Sequence, residues 1–119
     1  MKVCIAGGGR VGRYLAQSLL ANHHEIVIIE PVESQCRMLA DMLDIPVICG
    51  DSISMDTLRT ADVASCDAFV AVTGSDEDNL VACQIAKREF GVDRGKHTVE
   101  FTVTDYCGNE TVARESFVW

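Results

Sequence analysis

The chain is short of positive charge. Lys and Arg total 10 against 18 Asp and Glu, leaving a formal net charge of −8 over 119 residues. A protein that neutralises nucleic-acid phosphates needs clustered Lys and Arg, so this balance argues against a nucleic-acid partner. It argues equally against docking on an anionic membrane surface. No apolar run approaches the roughly 20 residues needed to span a bilayer; the longest are short, such as 26–29 and 68–72. Met1-Lys2-Val3 leads straight into a strand-like run, so no signal peptide is expected. No C-x-x-C pair occurs among Cys4, Cys36, Cys49, Cys66, Cys83 and Cys107, which leaves zinc and thioredoxin-like chemistry without a suitable spacing. The cysteines are expected to be small buried hydrophobes in a reducing cytosol, with a disulfide framework as the weaker alternative. Linkers, low-complexity segments and internal repeats are also missing. The expectation is one globular domain over residues 1–119.

What is present is an alternation of periods. Val3 to Ala6 is apolar on both faces, as a buried strand is. From Val11 the period changes: Val11, Leu15 and Leu19 recur at four, predicting an amphipathic helix to about Ala21. Glu25 to Glu30 reads as a second buried strand. Cys36, Leu39, Ala40 and Leu43 follow helical spacing, and Val47 to Cys49 is a third strand stopped by Gly50. Ser54 is placed to cap a short helix through about Thr60. A fourth strand falls within Asp67 to Thr73, and Ser75 with Asp78 opens a helix to about Phe90. Thr98 to Thr104 alternates like an edge strand. Asn109 to Phe117 is expected as a last short helix. Such alternation implies right-handed crossovers and a parallel sheet covered on both faces.

Gly7-Gly8-Gly9-Arg10-Val11-Gly12 is a G-x-G-x-x-G between the first strand and the first helix, the context in which that pattern signals a dinucleotide-binding loop. Gly7 permits the tight turn, Gly9 lets the backbone approach a pyrophosphate, and Gly12 lets the helix pack close to the strand. The helix end would then turn free N–H groups toward phosphate. Glu30 ends the second strand eighteen residues after Gly12. An acid there can accept hydrogen bonds from both ribose hydroxyls and would repel a 2′-phosphate, disfavouring NADP. The alternative is a packing turn with a solvated glutamate. Arg10 is a candidate phosphate partner or a solvated residue of the first helical turn.

With that loop, the chain resembles the TrkA N-terminal domains, also called KTN or RCK domains, which regulate potassium transporters and channels. The resemblance rests on the stretch Val3 to Ala16, on Gly50-Asp51 after the third strand, and on Asp67 to Leu80. It covers residues 1–92 best. It implies a Rossmann-type domain, α/β and C-terminally short, that binds NAD(H) or an adenine nucleotide such as ATP, ADP or AMP. It further implies a cytosolic regulatory subunit, not an enzyme, that forms a dimer or higher ring and gates a membrane potassium transporter or channel. The loop residues Gly7, Gly9, Arg10, Val11 and Gly12 go to the phosphates and Glu30 to the ribose. Asp51 and Ser52 go beside the adenine, and Thr73 and Gly74 near the phosphates or second ribose. Residues just past the C-terminal ends of parallel strands line the ligand crevice, which agrees with these last four assignments. The family's phosphate-reaching arginine in the fifth strand has Thr102 near its place here. The rival reading is the cofactor-binding part of an NAD-dependent oxidoreductase, for which the chain shows no substrate domain and no evident acid–base pair.

Three further groups invite attention. Asp76-Glu77-Asp78 could bind a divalent cation, but acids in a first helical turn favour the dipole. His23-His24 is expected to be a solvated turn. On the fourth helix most of Leu80, Ala82, Cys83, Ala86 and Phe90 read as core, and Val81 and Ile85 as a second apolar face that points either to a subunit interface or to deeper burial within the chain.

Overall fold

The computed structural model describes residues 1–92 with their side chains and the backbone of 96–104 and 110–118. Four parallel strands carry the fold: β1 (Lys2–Ala6), β2 (Glu25–Glu30), β3 (Val47–Cys49) and β4 (Ala68–Ala71). They are linked by α1 (Arg10–Ala21), α2 (Glu33–Leu43) and α3 (Met55–Thr60), the last followed by a 3-10 turn at Val63–Ser65. Helix α4 (Asp76–Phe90) leaves β4. The sheet continues beyond β4 with β6 (Glu110–Val118) and β5 (Lys96–Thr104), giving the order β3-β2-β1-β4-β6-β5. The parallel portion is a Rossmann-type arrangement in which the chain moves outward from β1 to β3 and then returns to β4 on its other side.

The apolar runs become strands because they are buried on both faces. Val3, Ile5, Ile26, Ile28 and Val70 pack with Ala16 of α1 and Leu39 of α2. The alternate residues Cys4, Val27, Ile29 and Phe69 pack with Leu58 of α3 and Ala82, Cys83 and Ala86 of α4. Phe69 and Leu58 are fully buried, each worth about 1.5–3 kcal/mol by area removed from water. The caps fall where the side chains dictate. Ser54 Oγ accepts the Thr57 N–H and Ser75 Oγ accepts the Asp78 N–H. Gly91, at φ +72°, ends α4 in the left-handed conformation.

Three expectations need correction. Residues 110–117, expected as helix, form β6, whose nine residues pair antiparallel with β5 and whose end pairs with β4. The sheet is therefore parallel only through β1–β4. Ladders with β5 and β4 override a local helical spacing. On α4, Leu80 is 53% exposed and not core, while Asn79 is buried; the inward face begins one residue earlier because Asn79 has partners inside. Of the second apolar face, Ile85 packs against the core, the intrachain alternative, while Val81 is exposed. Cys49 is exposed, whereas Cys4, Cys36, Cys66 and Cys83 are buried and not in disulfides; Cys107 and Trp119 lie outside the described residues. Among the described residues no helix is long and apolar enough to cross a membrane.

Candidate functional site

The glycine loop is shaped by what its neighbours leave room for. Gly7 adopts φ +122°, and a Cβ there would lie 2.8 Å from the Val72 carbonyl carbon and oxygen. A Cβ on Gly12 would come within 1.9 Å of the Gly7 carbonyl oxygen, so the start of α1 presses directly on the loop's first peptide. Gly9 is different: a Cβ there would meet nothing within 4 Å. No neighbour within the chain requires a glycine there, and Gly9 borders the cleft described below. Gly9 is the N-cap of α1 and offers no side chain to the helix end; the first turn holds no acid. The Arg13 N–H bonds to the Gly9 carbonyl at 2.9 Å, and the amides before it face out of the helix. Val11 is half-buried and packs against the core, while Arg10 is exposed at the helix start.

Glu30 is not a solvated strand end. It is 7% exposed. Its Oε1 accepts the Gly8 N–H at 3.0 Å and its Oε2 accepts the Val32 N–H at 2.8 Å. Its own carbonyl accepts the Gly50 N–H at 3.0 Å and the Cys36 thiol at 3.1 Å. The residue thus ties the glycine loop, the β2–α2 turn and the end of β3 together. A carboxylate offers about four lone-pair positions, so each oxygen keeps one for a further donor.

Thr73 is fixed by Asn79. Asn79 Oδ1 accepts from the Thr73 backbone N–H at 2.9 Å and from its hydroxyl at 2.6 Å, and Asn79 Nδ2 donates to the Thr73 carbonyl at 3.2 Å. The Thr73 hydroxyl also caps the turn by accepting the Ser75 N–H at 3.2 Å. Asp51 forms an Asx turn, its Oδ1 accepting the Ile53 N–H at 3.1 Å. Ser52 beside it is buried.

These pieces meet in a cleft of about 280 Å³ at the C-terminal ends of the parallel strands. Of the residues singled out by sequence, Gly7, Gly9, Glu30, Asp51, Ser52, Thr73 and Gly74 line it. Arg10, Val11 and Gly12 stand behind or beside it on α1. Sequence reasoning missed Pro31 on its wall, read Asp78 there as a helix-opening acid and not as a cleft residue, and missed Asn79 behind it. The signal for Asn79 was a polar residue at a core position of α4. A larger cavity, of about 480 Å³, opens where Lys2, His24, Glu25, Pro46 and Thr60 gather. It lies at the opposite end of the strands, away from the glycine loop, where parallel sheets do not present ligand crevices. His24 there takes the N-terminal amine at 3.2 Å. Among the described residues no group of three or more His, Cys, Asp or Glu is placed to hold a metal ion.

The sequence profile of the TrkA-N domain matches residues 3–105. The "Trk system potassium uptake protein TrkA homolog" of Methanothermobacter thermautotrophicus is 45% identical over 92 residues, covering 77% of this chain and 42% of that protein. The "Trk system potassium uptake protein TrkA" of Vibrio alginolyticus is 38% identical over 86 residues, 72% of this chain and 19% of that one. The chain thus spans less than half the length of these relatives. Among solved structures, "Shewanella denitrificans Kef CTD in AMP bound form" superposes with a TM-score of 0.66 at 25% identity, covering 76% of this chain and 54% of that one.

Proposed function

The chain belongs to the TrkA-N domain family, and from that premise we propose that it is the nucleotide-sensing part of a potassium uptake system. It binds an adenine nucleotide, AMP, ADP, ATP or NAD(H), in the cleft above the glycine loop. The observation that carries this reading is the pairing of an open Gly9 with a buried, cleft-lining Glu30 that retains acceptor capacity. The residues present fit such a ligand. The amides at the start of α1 suit its phosphates, and Glu30 suits its ribose hydroxyls. Asp51 and Ser52 stand on the adenine side, and Thr73 and Gly74 on the phosphate side. The nucleotide supplies no bond-making chemistry here; it supplies contacts that differ between arrangements of the protein.

Regulation follows from those contacts. A ligand shifts a conformational equilibrium only by its difference in affinity for the two states. Glu30 joins three segments, so a ligand held on its carboxylate biases the β2–α2 turn and the glycine loop together. The partners in this reading are further copies of the chain, in a dimer or ring, and a membrane potassium transporter or channel at the cytoplasmic face. The names of the relatives support the potassium link, and the AMP-bound neighbour supports the ligand class. The exposed Leu80 and Val81 on α4 are the apolar surface on which self-association would draw.

Calorimetric titration with AMP and NADH tests the ligand, using the wild type and Gly9→Val. Binding by the wild type and at least tenfold weaker binding by the variant are expected, since a branched side chain would occupy the approach to the loop. Equal affinity would remove the cleft from the reading. Turnover of NADH with any hydride acceptor by the purified chain would favour an oxidoreductase instead.

A further inference from the structure

Two cysteines far apart in sequence meet behind Glu30. Cys36 lies in the early part of α2, and its thiol donates to the Glu30 carbonyl at 3.1 Å. Cys49 ends β3, directly across the ladder from Glu30, and its thiol approaches the next carbonyl, that of Pro31, at 3.9 Å. Both sulfurs therefore sit over one two-residue stretch of backbone, on the carbonyls of Glu30 and Pro31. Cys36 is buried and Cys49 is exposed. The other facing pair, Cys4 and Cys66, is sealed in the core.

We propose that Cys36 and Cys49 are a redox-active dithiol that closes reversibly into a disulfide, with Cys49 meeting the oxidant and Cys36 resolving it. A pairing of one accessible thiol with a buried neighbour is the arrangement of redox-sensing cysteines. Cytosolic disulfides, where they form, are mostly transient ones of this kind. With hydrogen peroxide as oxidant, the Cys49 sulfur attacks one peroxide oxygen and the O–O bond breaks. Cys49 becomes a sulfenic acid and one water leaves. The Cys36 sulfur then attacks the Cys49 sulfur, the S–OH bond breaks, and hydroxide departs with the Cys36 proton as a second water. Two thiols are oxidised by two electrons and one peroxide is reduced. Burial, then the Cys49 thiol and the Glu30 carboxylate, push the Cys36 thiol up to about 11. Cys36 thus stays protonated at neutral pH and is not the first target; it gives its proton to the departing hydroxide as its sulfur attacks Cys49. Closing the bridge ties α2 to the end of β3 and removes the thiol donor from the Glu30 carbonyl.

The test uses the full chain, reduced and then treated with hydrogen peroxide. Thiols titrated in denaturant should fall from six to four and return to six with dithiothreitol. Trypsin cleaves after Arg13, Arg37 and Arg59. Unreduced digests should therefore contain peptide 14–37 joined to peptide 38–59, two hydrogens lighter than their sum. Cys49→Ser should abolish the joined peptide and leave Cys36 reduced. Cys36→Ser should leave a sulfenic acid on Cys49 that dimedone traps. If Cys36→Ser does not fold, the wild-type digest decides alone. Cys49 staying reduced, advancing to sulfinic acid without bridging, or joining the Cys49 of a second chain would each overturn the proposal.

Discussion

The Glu30 carboxylate and the Gly8 amide are joined by a buried hydrogen bond of 3.0 Å. This one contact couples the end of β2 to the middle of the glycine loop. It places the acid proposed for the ribose and the loop proposed for the phosphates in one unit. The same acid is therefore both scaffold and candidate ligand contact, and variants must be chosen to separate the two.

Glu30→Ala should destabilise the fold even without ligand. It strands the buried Gly8 N–H, and an unsatisfied buried donor costs about 1–3 kcal/mol. Glu30→Gln keeps one oxygen for Gly8 and should lose less. Urea unfolding of both variants without nucleotide checks this. An alanine variant as stable as wild type would mean that the loop does not depend on the carboxylate.

Gly12→Ala and Gly9→Ala should behave in opposite ways. At Gly12 the added methyl would collide with the Gly7 carbonyl oxygen, and overpacking of this kind costs about 1–3 kcal/mol. At Gly9 it enters open space, with a backbone at φ −76° that alanine accepts. Thermal melts should show a clear loss for Gly12→Ala and little change for Gly9→Ala. A large loss at Gly9 would show that its space is not open.

Cys36 should contribute pH-dependent stability. Its folded pKa of about 11 stands above the ordinary 9.0 because burial disfavours the thiolate, with the Cys49 thiol and Glu30 charge adding to it. Between those values the unfolded chain has released the proton that the folded chain keeps. The contribution is thus present below about pH 9 and lost as pH rises toward 11. Urea midpoints of reduced wild type and Cys36→Ala should differ more at pH 8 than at pH 10.5. A constant gap would mean that Cys36 titrates alike in both states.

Local signals located the elements of the first ninety residues. The boundaries of β2 and β3 are those read from apolar runs broken by Gly50 and flanked by polar residues. Those of α4 follow from the Ser75 cap and Gly91. The steric reasons for Gly7 and Gly12 were also legible, since the motif's spacing encodes them. Strand pairing was not: β6 is held by its sequence neighbour β5 and by the distant β4, and nothing within 110–118 announces those partners. The side-chain facts that matter most at the site were equally hidden. Glu30 accepting the Gly8 amide and Cys49 facing outward beside Cys36 depend on which segments the sheet brings together, whereas Asn79 holding Thr73 is a contact within six residues, signalled only by a polar residue on the core spacing of α4.

The most direct test of the central claim compares AMP with adenosine 2′,5′-bisphosphate by calorimetry on the wild-type chain. Glu30 beside a free 2′-hydroxyl is an acceptor, whereas beside a 2′-phosphate it is a repelling charge. AMP should bind and the bisphosphate should bind at least tenfold more weakly. Equal or tighter binding of the bisphosphate, or no binding of AMP, would contradict a ribose held on Glu30.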